Sequence, residues 1–152
     1  MPLNNKEANV NIIVGSMLGA SEYVAEALET LMKAEGYQVE VHLKPNLSDI
    51  SLESVWIICT STHGAGDLPD NIQPFAKQIS NIDLGTVNYF VVGLGDTNYD
   101  TYCFAAKHFE DLLQKGNAKQ ITAPLYIDVA EHSVPETVAS QWMQDWLDKI
   151  NE

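Results

Sequence analysis

The chain has 152 residues, 45% of them hydrophobic, which suits one domain with a sizeable core. Acidic residues number 21 and basic residues 8, all of them lysine, for a formal net charge of −13. That balance argues against a nucleic-acid surface and any chemistry built on an arginine fork; no apolar run approaches the ~18 residues of a membrane span.

Residues 1–8 are polar, lack an apolar signal core and read as a short flexible tail on a cytoplasmic protein, within a single domain over 1–152. Residues 10–14 are β-branched and apolar and predict a buried strand closed by Gly15. Residues 21–35 carry Tyr23, Val24, Ala27, Leu28, Leu31 and Met32 at helical spacing, with Gly36 placed to end the helix. An alternating strand is expected over 39–43, a loop over 44–51, and a fully apolar strand over 55–59. A helix follows over about 71–80, with Pro74 in its first turn. Residues 89–92 are a further apolar strand, and 104–115 an amphipathic helix ended by Gly116. The last strand is expected over 121–127. The last helix is expected over 134–150, with Ser133 as N-cap.

Continuous apolar strands alternating with helices predict an α/β fold: a parallel sheet covered on both faces. Right-handed crossovers and the chain length favour a three-layer, doubly wound, five-stranded sheet of order 2-1-3-4-5. Such a sheet places a ligand at the carboxyl ends of its first and third strands, where the winding reverses.

Three turns fall in that region. The first, Gly15-Ser16-Met17-Leu18-Gly19-Ala20-Ser21, leads a strand into a helix through small residues. Backbone N–H groups and the helix dipole there attract a phosphate, and Ser16 and Ser21 add hydroxyls. The same pattern also serves as a plain helix cap. The turn lacks the Gly-Lys-Ser/Thr ending of a nucleoside triphosphatase loop and the three-glycine dinucleotide fingerprint. The second turn is Ser61-Thr62-His63-Gly64-Ala65-Gly66-Asp67, whose paired glycines indicate unusual backbone angles or tight approach. The third is Gly93-Leu94-Gly95-Asp96-Thr97-Asn98-Tyr99, followed by Asp100-Thr101-Tyr102-Cys103.

Together these turns resemble the flavodoxin family, and most of all its short-chain members of the MioC type. The family's phosphate loop reads Ser/Thr-x-Thr-Gly-x-Thr. Ser16, Gly19 and Ser21 fit it, whereas Leu18 replaces a hydroxyl residue. His63 stands where related diflavin reductases usually carry Tyr. The third turn is similar to Gly-Leu-Gly-Asp-x-x-Tyr-x-x-Phe-Cys, with Tyr102 for Phe. The likeness runs from Val10 to Ile150.

The resemblance implies an FMN cofactor. Its implied contacts in the first turn are Ser16, Met17, Leu18, Gly19, Ala20 and Ser21. Those in the second are Ser61, Thr62, His63, Gly64, Ala65 and Gly66, and those in the third are Gly95, Asp96, Asn98, Tyr99, Tyr102 and Cys103. Tyr99 is expected to stack on the outer ring face, and Gly64 matches the family position whose peptide turns on reduction. Cys103 starts a helix, where a thiol pKa can fall, although a small packed residue beside the ring is the simpler role. Cys59 and the three tryptophans are expected in the core. No histidine has metal-ligand spacing with a cysteine or carboxylate, so no metal is assigned, and no catalytic residue either.

The implied activity is one-electron transport without substrate turnover, from a flavin reductase to acceptor enzymes. Partners with basic surfaces are expected to dock transiently on the acidic chain, with no nucleic acid and no membrane involved. The alternative is an FMN-dependent reductase of quinones or other small acceptors. A signalling receiver lacks its acidic pair here, and a Cys-x5-Arg phosphatase lacks its arginine.

Overall fold

A computed structural model describes residue 3 and residues 8–17, 19–63 and 65–150. Strands β1 (Asn9–Gly15), β2 (Gln38–His42), β3 (Val55–Ser61) and β4 (Asn88–Gly95) form the body of a parallel sheet. Two short strands, β5 (Lys119–Gln120) and β6 (Leu125–Asp128), complete it, both pairing with β4. The path is β2-β1-β3-β4-β5, as the strand pattern predicts.

Side chains alternate across this sheet and build two cores. Ile12, Val14, Ile57, Cys59, Phe90 and Val92 face helices α1 (Ala20–Ala34) and α4 (Pro135–Ile150). Ile13, Trp56, Ile58, Tyr89 and Val91 face α2 (Gln73–Ile79) and α3 (Phe104–Lys115). Phe90 sits edge-on to Trp142 and Trp146, with centroids 5.6 and 5.9 Å away. Each fully buried large side chain stabilises the fold by about 1.5–3 kcal/mol. Two buried faces account for strands that read as unbroken apolar runs.

Helix α1 ends where Gly36 predicts. Gly36 takes φ 99°, a left-handed conformation, its N–H donates to Lys33 O, and Tyr37 N–H donates to Met32 O at 3.1 Å. Helix α3 ends at its C-cap Gly116, as expected, and the left-handed position follows at Asn117, φ 68°. Helix α2 starts at Gln73, later than expected, with Pro74 in its first turn. Helix α4 starts at Pro135, where a missing N–H costs nothing, two residues past Ser133.

One expectation needs correction. The last strand is not one run over 121–127 but two pieces. Asn88 and Tyr89 pair with Lys119 and Gln120, whereas Val92 pairs with Leu125, so residues 121–124 stand opposite residues 90 and 91. Pro124 has no N–H to donate, and the ladder breaks around it. Leu3 is buried in the α1–α4 core at 1% exposure, and its carbonyl accepts the Tyr37 hydroxyl; the rest of residues 1–7 lie outside the described residues.

Candidate cofactor site

The carboxyl ends of β1, β3, β4 and β6 lie side by side, and the turns leaving them are tied together in sequence. Gly15 O at the end of β1 accepts hydroxyls from Ser21 at 2.8 Å and Ser61 at 3.4 Å. Asn71 binds three segments at once. Its Nδ2 donates to Val14 O at 2.7 Å and Leu43 O at 2.9 Å, and its Oδ1 accepts Ser16 N–H at 2.9 Å. The Cys59 thiol donates to Ser21 O at 3.4 Å. The first turn is thus fixed from behind by β3 and by the residues before α2.

Ser16 Oγ accepts Gly19 N–H at 2.9 Å, and Gly19 takes φ 91° immediately before α1. A Cβ on Gly19 would meet nothing within 4 Å, so an approaching ligand finds open space there. Ala20, Ser21 and Glu22 begin α1, and the first N–H groups of a helix have no partner inside it. Ser21 is fully buried and its hydroxyl hydrogen goes to Gly15 O, which takes it from the hydroxyl donors expected to face a phosphate.

The second turn is a tight hairpin. His63 and Asp67 exchange backbone hydrogen bonds at 2.8 Å each way, and Gly66 N–H donates to His63 O at 3.2 Å. Gly66 closes it at φ 101°, the left-handed residue such three-residue hairpins use. Any Cβ there would also stand 2.9 Å from Phe104 Cδ2. Thr62 reaches onward, and its Oγ1 accepts Ala105 N–H at 3.1 Å.

The third turn is held from β6. Asp128 accepts the Thr97 hydroxyl, Thr97 N–H at 3.3 Å and Ala130 N–H at 3.0 Å. These bonds, that of the Thr97 hydroxyl foremost, hold its carboxyl below its ordinary pKa. Asp96 Oδ1 accepts Asn98 N–H at 2.8 Å, and Val129 N–H donates to Gly95 O at 2.8 Å. A Cβ on Gly95 would lie 2.8 Å from Cys103 N, so this backbone stays bare where loop and helix meet.

Between the three turns lies a cleft of about 440 Å³, within the range of small-ligand sites. Met17, Ala20, Leu94 and Val129 supply its apolar walls. His63 and Tyr99 supply two flat side chains, and Tyr99 is 65% exposed. Ser61, Thr62, Gly95, Asp96 and Thr101 complete the lining, with no lysine among the described residues. Among the described residues there is also no cluster of His, Cys, Asp and Glu fit for a metal ion.

Of the residues named from sequence, Met17, Ala20, Ser61, Thr62, His63, Gly95, Asp96 and Tyr99 meet in this cleft. Leu18 and Gly64 lie outside the described residues. Ser16, Gly19, Ala65, Gly66 and Asn98 belong to the surrounding turns without lining the cleft. Tyr102 instead sits edge-on to Tyr126 at 6.3 Å, and burial pushes its hydroxyl up to about 12. Cys103 is fully buried, and burial raises its thiol to about 11, against the fall considered for a helix start. Val129 was not foreseen as a wall; its position after a strand end was the available signal.

The arrangement fits a flat, phosphate-bearing ring system: a bare helix start for the anion and a cleft with two planar side chains. A family model described as Flavodoxin matches residues 12–142. A MioC homolog from Haemophilus influenzae is 41% identical over 144 residues, covering 93% of this chain and 99% of that protein. Protein MioC from Escherichia coli is 38% identical over 145 residues, covering 94% and 99%. A solved mutant of flavodoxin from Pseudomonas aeruginosa matches with a TM-score of 0.86 at 27% identity, over 95% of this chain and 99% of that one. Turns of this kind at the sheet's switch point, in a chain alike to those proteins over more than nine-tenths of its length, make it a member of the flavodoxin family, of the short-chain MioC type.

Proposed function

We propose that this chain holds FMN in the cleft and works as a one-electron carrier between a flavin reductase and acceptor enzymes. The observation that carries the reading is the convergence of His63, Tyr99, Asp96 and the α1 N-terminus on one cleft at the sheet's switch point. Flavodoxins are electron carriers rather than enzymes with a substrate of their own, and the family supports the same here. Bound FMN supplies the redox chemistry.

The residues do the rest. The amides at the start of α1, with the Ser16 hydroxyl, hold the phosphate by neutral dipoles, since no lysine lines the cleft among the described residues. Tyr99 and His63 cover the ring faces and exclude water from them. Asp96 sets a negative field at the ring edge, which resists the build-up of negative charge on reduction. Tyr99 and Met17, both substantially exposed, leave the cleft mouth open to a docking partner. Asp67, Asp70, Asp100 and Glu131 are exposed on the surrounding loops and suit a basic partner surface.

The test is to add FMN to the purified chain and follow its fluorescence and visible spectrum through a reductive titration. Quenching at stoichiometric FMN and two separated one-electron steps are expected. Unquenched flavin would overturn the reading. Steady NADPH oxidation with a quinone, by the purified chain alone, would replace it with the reductase alternative. Electron transfer to a basic partner should slow as salt rises.

A further inference from the structure

Behind the second turn lies another concavity, which the flavin reading does not use. It is a groove of about 700 Å³ between α2 and α3, closed at one end by Gly66, Asp67 and Leu68. On α2 the residues facing it are 73, 76 and 77, with Ser80 just past its end, and on α3 they are 104, 107 and 108, set at helical neighbour spacing. In a chain of net charge −13 with 8 lysines, two lysines and a histidine meet there, opposed by the single carboxylate of Asp67. Among the described residues neither Lys77 nor Lys107 is in an ion pair; Lys107 Nζ stands 5.4 Å from the Phe104 ring centroid and 5.6 Å from that of Tyr126. Phe104 is 42% exposed, a large apolar ring left open beside the Lys107 ammonium, with Lys77 lining the same groove.

We propose that this groove is a second binding site, for a small oxyanion carried on a flat aromatic ring. Lys77 and Lys107 pair with the phosphate or carboxylate, His108 adds a ring nitrogen, and Phe104, Leu68 and Ala76 receive the ring. Neither the bare anion nor the bare ring satisfies both halves of the groove. The site also touches the flavin hairpin from behind, because the Gly66 backbone lies directly against Phe104. Occupancy therefore registers at Gly66 whether or not the cleft in front holds a flavin.

The probe is phenyl phosphate, titrated into the full chain, with and without FMN, and followed by amide chemical shifts. Saturable shifts at Gly66, Phe104, Lys107 and His108 are expected, and inorganic phosphate and phenol should each bind at least about tenfold more weakly. The double variant Lys77→Gln, Lys107→Gln changes two exposed side chains and should weaken phenyl phosphate by at least about tenfold while the fold is retained. Absence of saturation, shifts confined to the flavin cleft, or equal binding by the double variant would overturn the site. Because these readouts are independent of flavin, the groove and the FMN reading fail separately.

Discussion

The Thr62 hydroxyl oxygen accepts the Ala105 amide hydrogen at 3.1 Å, across 43 positions of chain. Cys103, the residue before α3, sits at φ 55° and makes no side-chain cap bond of its own. A residue of the second turn thus satisfies an open N–H at the start of the helix that follows the third. Thr62 also lines the cleft, so the same hydroxyl sets the spacing between the two turns.

Thr62→Val keeps the shape and removes the acceptor. It should cost about 1 kcal/mol of stability, the usual value of a lost N-cap, and Thr62→Ser should retain most of it. Urea midpoints of the three chains without flavin measure this. Identical midpoints for Thr62→Val and the unaltered chain would show that the bond carries no stability.

Tyr99 makes the opposite kind of contribution. At 65% exposure it adds little to the core, so Tyr99→Ala should leave stability within about 0.5 kcal/mol. Stacking of a flat ring on an aromatic side chain is worth roughly 1–3 kcal/mol, so FMN affinity should fall about tenfold or more. Tyr99→Phe should keep most of it. Fluorescence titration with FMN gives the affinities, and equal affinity for Tyr99→Ala would remove Tyr99 from the ring contacts.

The sequence made the sheet order legible because apolar runs such as residues 55–59 need cover on both faces. It also placed the three turns at one end, since each follows a strand. The break in the last strand was hidden, because Ile121, Leu125, Tyr126 and Ile127 look continuous while the register shifts by two residues around Pro124. Leu3 lay unseen among polar neighbours, where one buried side chain has no period to mark it. Long-range ties were the least visible. Asn71 binds Val14, Ser16 and Leu43, and nothing in its neighbourhood announces partners so distant in the chain. Ser21 misled for a related reason: a hydroxyl at a helix start looks available for a ligand, but the Gly15 carbonyl had taken it.

Both cysteines should be chemically silent in the folded chain. Burial raises the Cys59 thiol to about 12 and the Cys103 thiol to about 11, and both are fully buried. A raised thiol pKa means the unfolded chain loses these protons first. The stability tied to them is therefore present below the ordinary value of 9.0 and is lost as pH rises above it. At pH ~8 a disulfide reagent should react slowly with the native chain and with both thiols in denaturant. Rapid reaction of one thiol in native conditions would show that the region around it opens locally.

Asp128 sets the acid side. Its carboxyl is held below the ordinary 3.8 by the Thr97 hydroxyl first, then by the amides of Ala130 and Thr97, which more than offset its burial. A depressed carboxylate pKa contributes stability that is full above 3.8 and drains away as pH falls through the folded value. Asp128→Asn keeps one acceptor oxygen, replaces the other with an NH2 group and no longer titrates. The variant should therefore be less stable than the unaltered chain at neutral pH, and the gap should narrow as pH drops to ~3. Because Thr97 and Ala130 flank the cleft, the variant should also loosen the third turn and weaken FMN binding at neutral pH. Urea midpoints of both chains across that range decide it: a gap that stays constant down to the lowest pH would mean that Asp128 acts by shape and not by charge.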